Sequence, residues 1–153
     1  MMRLPCMRAA YLRAMFTAAQ IAWANALREG NMVAHLGITF MPGVPGTFTA
    51  TMPVDRRTKQ PMGLLHGGAT AALAETLGSM GSAMLVDLEK EAVVGIELNA
   101  NHLKSATAGL VTATGTLLHK GRTTHVWDIR VTNEDGGLVA VCRLTNMVIA
   151  KRP

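Results

Sequence analysis

Gln60-Pro61-Met62-Gly63-Leu64-Leu65-His66-Gly67-Gly68-Ala69-Thr70-Ala71-Ala72-Leu73-Ala74-Glu75-Thr76-Leu77-Gly78-Ser79 is the stretch that decides how this chain folds. Two glycines run into a segment of Ala, Leu, Met, Gly, Ser and Thr that extends from Ala69 to about Leu88. Apart from Glu75 and the terminal Asp87 the segment has no charged face, which predicts a long helix buried inside the molecule. Something must wrap such a helix, and the flanking sequence supplies strands.

Upstream, Gly37–Met41 and Thr47–Val54 alternate in polarity and are rich in β-formers, with the turn residues Pro42–Gly46 between them. That pattern predicts a hairpin, followed by a polar loop over Asp55–Pro61. Downstream, four strands are predicted over Ala92–Lys104, Gly109–His119, Thr123–Asn133 and Leu138–Ala150. Ser105–Ala108, Lys120-Gly121 and Asn133–Gly137 separate them, so a four-stranded antiparallel meander is expected. The fold class is α+β: an antiparallel sheet wrapped around one long central helix. A single sheet cannot cover a helix that is apolar nearly all round, so a partner subunit is expected on the open side.

Composition bounds the rest. The chain has 153 residues, 49% hydrophobic and 16% charged, which fits one domain and excludes intrinsic disorder. Cys6 and Cys142 form no disulfide framework, and this usage fits a reducing, cytoplasmic setting. The longest stretch free of Asp, Glu, Lys and Arg, Gly30–Val54, is broken by three prolines and several glycines, so no membrane span is expected. The net charge of +5 suits an anionic small molecule as well as a polyanion. Residues 1–30, with Arg3, Arg8, Arg13 and Arg28, read as a basic helical extension ahead of a domain over 31–153; they mimic a targeting peptide weakly. His35, His102, His119 and His125 lack metal-ligand spacing, and no metal or cofactor is expected. His35 and His125 read as structural residues, Met80 and Met84 as core, and Trp127 as packing.

The chemistry sits at the start and middle of the helix. Its first N–H groups lack intrahelical partners, and the helix dipole adds positive potential there. Glycine lets a ligand oxygen come close, so such a start can hold a phosphate or an oxyanion, although His-Gly-Gly alone also fits a tight loop-to-helix turn. Glu75 is the only ionisable residue between His66 and Asp87. A buried carboxylate there would be poised as a base by desolvation; the plainer reading is a Glu that reaches solvent or pairs with an Arg. Glu75 lies about 10 Å along the helix from its start, too far for both groups of one chain to meet at one carbonyl. Two chains packed helix against antiparallel helix bring them together, so two identical sites are expected at a dimer interface. Ser79, one turn beyond Glu75, is placed to hold a water beside it. Lys104, Lys120 and Arg122 suit phosphate groups, though solvated strand ends would look the same.

Together with Met32–Gly37, Met52–Asp55, Gly95–His102 and Leu117–Gly121, the His66–Ser79 stretch resembles the hotdog-fold acyl-CoA thioesterases of the Glu-dependent bacterial branch. That branch includes the small thioesterases of enterobactin proofreading and of dihydroxynaphthoyl-CoA hydrolysis. The likeness runs from about Asn31 to Ile149 and leaves out the first 30 residues. It implies hydrolysis of an aromatic or medium-chain acyl-CoA to free acid and CoA. The Gly67 N–H would polarise the carbonyl, His66 and Gln60 would help to place it, Glu75 would act as base or nucleophile, and Ser79 would position water. CoA contacts would fall on Val94, on Asn101, His102, Leu103 and Lys104, and on Leu118, His119, Lys120, Gly121, Arg122 and Thr123. The expected assembly is at least a homodimer and more fully a homotetramer, a dimer of dimers, with no nucleic-acid or membrane partner. A hotdog dehydratase or hydratase fits poorly, because it wants a His and an acid across a 3-hydroxyacyl chain. A non-catalytic acyl-CoA sensor is the other alternative, and such sensors tend to lack the helix carboxylate.

Overall fold

The computed structural model describes residues 16–151. The first part of the basic extension, with Arg3, Cys6, Arg8 and Arg13, lies outside the described residues. The remainder is docked. Helix α1 (Ala18–Ala26) starts at a capping box in which Thr17 and Gln20 satisfy each other's backbone N–H groups. It turns Ile21 and Ala24 inward, and Phe16 stacks on Phe48 at 4.6 Å between ring centroids. The Asn25 amide pairs with both backbone groups of Phe40, and Arg28 donates to the Ile38 carbonyl and the Thr39 hydroxyl. Helix α2 (Met32–His35) is a single turn capped by Asn31.

Strands β1 (Thr39–Met41) and β2 (Thr47–Pro53) form the predicted hairpin, with Phe40 opposite Ala50. The central helix α3 (Gly67–Ala83) follows. It ends short of the predicted Leu88 because Asp87 builds a turn: its carboxylate accepts from the Glu89 N–H, and its carbonyl from those of Lys90 and Glu91. A short acidic side chain competing for backbone N–H groups favours a turn over a further helical turn. The last four strands are β3 (Glu91–His102), β4 (Leu110–Lys120), β5 (Thr124–Asn133) and β6 (Leu138–Ala150).

The pairing corrects the expected meander. Strand order is β1-β2-β4-β5-β6-β3, antiparallel throughout. β3 does not touch β4; it pairs with β6 from Glu91 opposite Ala150 to His102 opposite Ala140. β2 takes the place beside β4, with Thr47 opposite Thr116 and Pro53 opposite Leu110. The small-residue break near 105–108 is therefore a crossing, not a turn. It is pinned across the end of the sheet by hydrogen bonds from Leu103 N–H to the Val139 carbonyl, Leu65 N–H to Ala106 and Val54 N–H to Gly109, each 2.8 Å. Seven residues without turn-forming pairs are long enough to make that crossing, whereas Lys120-Gly121 and Asn133–Gly137 close tight hairpins.

Inward-facing side chains follow the two-residue period: Phe48, Ala50 and Met52 on β2, Val111 and Ala113 on β4, Trp127, Ile129 and Val131 on β5, and Ala140, Cys142 and Leu144 on β6. They pack on Leu73, Ala74 and Leu77 of α3. A Cβ at Gly81 would come within 2.7 Å of the Trp127 ring, so glycine is what lets α3 lie on the indole. One face of α3 is covered in this way. The sheet leaves the other side uncovered, as expected for a single chain: the face carrying Gly68, Ala71, Ala72, Glu75, Thr76 and Ser79 lies along an open groove. Among the described residues no helix is long and apolar enough to cross a membrane.

Candidate active site

The loop before α3 is tightly built. Asp55 takes a forked ion pair from Arg57, which holds its carboxyl down at about 2. The Thr58 hydroxyl donates to the Pro53 carbonyl at 2.6 Å, and the His66 N–H donates to the Thr58 carbonyl. Gln60 accepts from the Met62 N–H through its side chain and donates its backbone N–H to Leu64. This frame delivers His66 to the helix N-cap, where its Nδ1 accepts from the Gly68 N–H at 2.8 Å. His66 thus satisfies one of the free N–H groups at the start of the helix. The neighbouring Gly67 N–H keeps no hydrogen-bond partner among the described residues.

His102, at the end of β3, lies over Gly67: a Cβ on that glycine would sit 2.9 Å from the imidazole Nε2. Together they open onto a cleft of about 400 Å³ lined also by Gln60, Leu103 and Lys104. Five of the residues singled out in the sequence therefore meet in one place. Glu75 and Ser79 do not join them. They line a separate groove of about 450 Å³ with Met32, Gly68, Ala71 and Thr76. Gly67 and Glu75 are eight helical steps apart, about 12 Å.

Glu75 was expected to be buried, yet in the single chain it is exposed. Leu73 and Leu77 mark the covered face of α3, whereas the small residues Ala, Gly, Thr and Ser stand on both faces. Its carboxylate lies against β3 at Gly95, where a Cβ would come within 2.6 Å of Oε1. The Ser79 hydroxyl donates to Asn146 Oδ1 at 3.2 Å. Asn146 is fully buried, and its Nδ2 donates to the Gly78 carbonyl at 3.1 Å and to Ser82 Oγ at 2.9 Å. Ser82 Oγ also accepts from the Trp127 indole N–H at 2.8 Å, so Trp127 hydrogen-bonds as well as packs. Sequence reasoning missed Asn146 and Gly95. The signal for Asn146 was present: it falls on the inward phase of β6, after Ala140, Cys142 and Leu144, where a polar residue needs a reason.

The expected CoA contacts separate into two groups. Asn101 to Lys104 lie at the Gly67 end of the sheet. Val94 and the Leu118–Thr123 turn lie at the other, tied across it by the pairings of Val94 with Met147 and of Met147 with Thr124. The eight steps along β3 from Val94 to His102 span about 26 Å. Leu118 is the extra residue of a bulge in β4, and the Gly121 N–H closes its turn on the Thr124 carbonyl. His125 is buried on the inner face, with no partner for Nδ1 among the described residues. Burial, helped by the charges of Lys120 and His119, holds its pKa below the ordinary 6.5. Cys142 is buried too, which pushes its thiol up to about 11.

A long helix packed against one face of a six-stranded antiparallel sheet is the hotdog arrangement. Residues 62–140 match the model of the thioesterase superfamily, and the chain belongs to that family. It is 48% identical over 129 residues to the proofreading thioesterase EntH of Klebsiella pneumoniae, covering 84% of this chain and 93% of that one. It is 47% identical over 125 residues to the 1,4-dihydroxy-2-naphthoyl-CoA hydrolase of Escherichia coli, covering 82% and 91%. The crystal structure of a mutant thioesterase from Pseudomonas aeruginosa superposes with a TM-score of 0.86 at 44% identity, covering 92% of this chain and 99% of that one.

Proposed function

We propose that this chain hydrolyses an acyl-CoA, R–CO–S–CoA, with an aromatic or medium-chain acyl group, at a site shared by two copies. The observation that carries the reading is the separation of Gly67 from Glu75 along one helix. Each lines its own cleft, and each lacks in its own chain the group that the chemistry requires beside it. Antiparallel packing of two α3 helices about a two-fold axis sets the Glu75 of one copy against the Gly67 of the other. Strand β3 supports such a pairing: it is an edge strand of 12 residues with Val94 and Ile96 exposed, and an unpaired edge is a template for a second copy.

In this arrangement the thioester carbonyl oxygen accepts from the Gly67 N–H. Water gives a proton to Glu75 and its oxygen attacks the carbonyl carbon. The tetrahedral oxyanion is held by the same N–H, then collapses with cleavage of the C–S bond. The proton on Glu75 passes to the departing thiolate, and the acid and free CoA leave. Lys104 beside one cleft, and Lys120 and Arg122 at the far end of the sheet, suit the phosphates of CoA. Because about 26 Å separates the two groups in one chain, a single CoA reaches both only where different subunits contribute them, which favours a dimer of dimers.

Glu75→Ala is expected to slow thioester hydrolysis by at least about a hundredfold with the fold intact, and Glu75→Gln to behave alike. Steady-state turnover on a panel of aromatic and straight-chain acyl-CoAs, with circular dichroism as the fold control, measures this. Unchanged turnover in either variant overturns the mechanism.

A further inference from the structure

Resting on that reading, we infer that Asn146 is a positioning residue: it fixes the Ser79 hydroxyl as an acceptor, so that Ser79 and Glu75 together hold the attacking water by both of its hydrogens. A carbonyl oxygen can only accept, so the contact with the Gly78 carbonyl sets which way the Asn146 amide faces, with Nδ2 toward α3. The contact from Nδ2 to Ser82 Oγ repeats that orientation. Oδ1 is then turned to Ser79, and since Oδ1 can only accept, the Ser79 hydroxyl must spend its one hydrogen there. What Ser79 offers to the groove is lone pairs.

Glu75 lies one turn before Ser79, and both line the same groove. Its carboxylate is also an acceptor, held beside Gly95, and Asn146 Oδ1 stands 3.7 Å from where a Cβ on that glycine would be. A water between two acceptors donates one hydrogen to each. Its lone pairs then point away from both, toward the bound carbonyl, and the hydrogen given to Glu75 is the one transferred on attack. A Ser79 free to rotate would present its own hydrogen to the water and turn it. The network behind Asn146 is rigid for this purpose: Ser82 is tied to the indole of the fully buried Trp127.

The test uses the full chain with the best acyl-CoA substrate found in the screen, and compares Ser79→Ala, Asn146→Ala, their double variant, Ser79→Thr and Glu75→Ala. Ser79→Ala and Asn146→Ala are each expected to lower kcat about tenfold with KM within twofold of the parent, and the double variant to fall no further than the worse single. Ser79→Thr, which keeps the hydroxyl, is expected to hold kcat within about threefold. A folded Asn146→Ala with parental kcat, or losses that multiply to about a hundredfold in the double variant, overturns the inference. If Asn146→Ala does not fold, Ser79→Ala against Ser79→Thr decides it, and parental kcat in Ser79→Ala overturns it. Full turnover in Glu75→Ala instead sinks the Glu75 mechanism on which this inference rests, while a dead Glu75→Ala beside an unimpaired Asn146→Ala sinks this inference alone.

Discussion

Gly95 has no positive φ, and a Cβ there would come within 2.6 Å of Glu75 Oε1. The contact is with the end of a flexible side chain, so Gly95→Ala should leave the melting temperature nearly unchanged while pushing Glu75 aside. We expect kcat to fall at least about tenfold, measured beside a thermal melt; a loss of stability with parental kcat would show that Gly95 serves packing alone. His125 makes a second expectation at this scale. Its folded pKa is lowered, so the folded chain keeps it neutral while the unfolded chain takes up a proton below about 6.5. Stability should be fully present above that pH and decline as pH falls below it, and His125→Phe should flatten this acid-side decline in urea titrations. Residues of this kind were the hardest to read in advance. Glu75 was legible as a lone carboxylate among small side chains, whereas Asn146 and Gly95 matter through what lies opposite them, and facing partners are set by register.

Among elements, extent was legible and adjacency was not. Alternation and turn residues located the strands to within a residue or two, since a two-residue period and pairs such as Lys120-Gly121 are local signals. Which strand pairs with which depends on the crossing through 103–109, whose small residues look like a turn until Leu103, Ala106 and Gly109 are seen hydrogen-bonding to other parts of the fold. Helix α3 has the same character. Its glycines read as weak helix formers, yet Gly81 lies on the Trp127 ring, which cannot retreat because its N–H is held by Ser82. Gly81→Val should cost about 1–3 kcal/mol through overpacking, read from the urea midpoint. A variant as stable as the parent would mean that helix and indole are less closely seated.

At the scale of the whole molecule, the single chain holds the Gly67 cleft and the Glu75 groove apart, and the proposed site joins them across two copies. Small residues line the open face of α3, and the edge strand β3 exposes Val94 and Ile96. The positive residues follow the same division, Lys104 at one end of the sheet and Lys120 and Arg122 at the other. Membership of the thioesterase superfamily accounts for the fold and the class of reaction; the sharing of the site is the further claim. Subunit complementation tests it most directly. Glu75→Ala and Gln60→Ala chains, each nearly inactive alone, are unfolded, mixed in equal amounts and refolded together. Half of the randomly formed dimers then pair one chain of each kind, and each such dimer holds one site with both an intact Gln60–Gly67 cleft and an intact Glu75. The account predicts recovery of about a quarter of parental turnover. Turnover no greater than the mean of the two variants measured separately would contradict it.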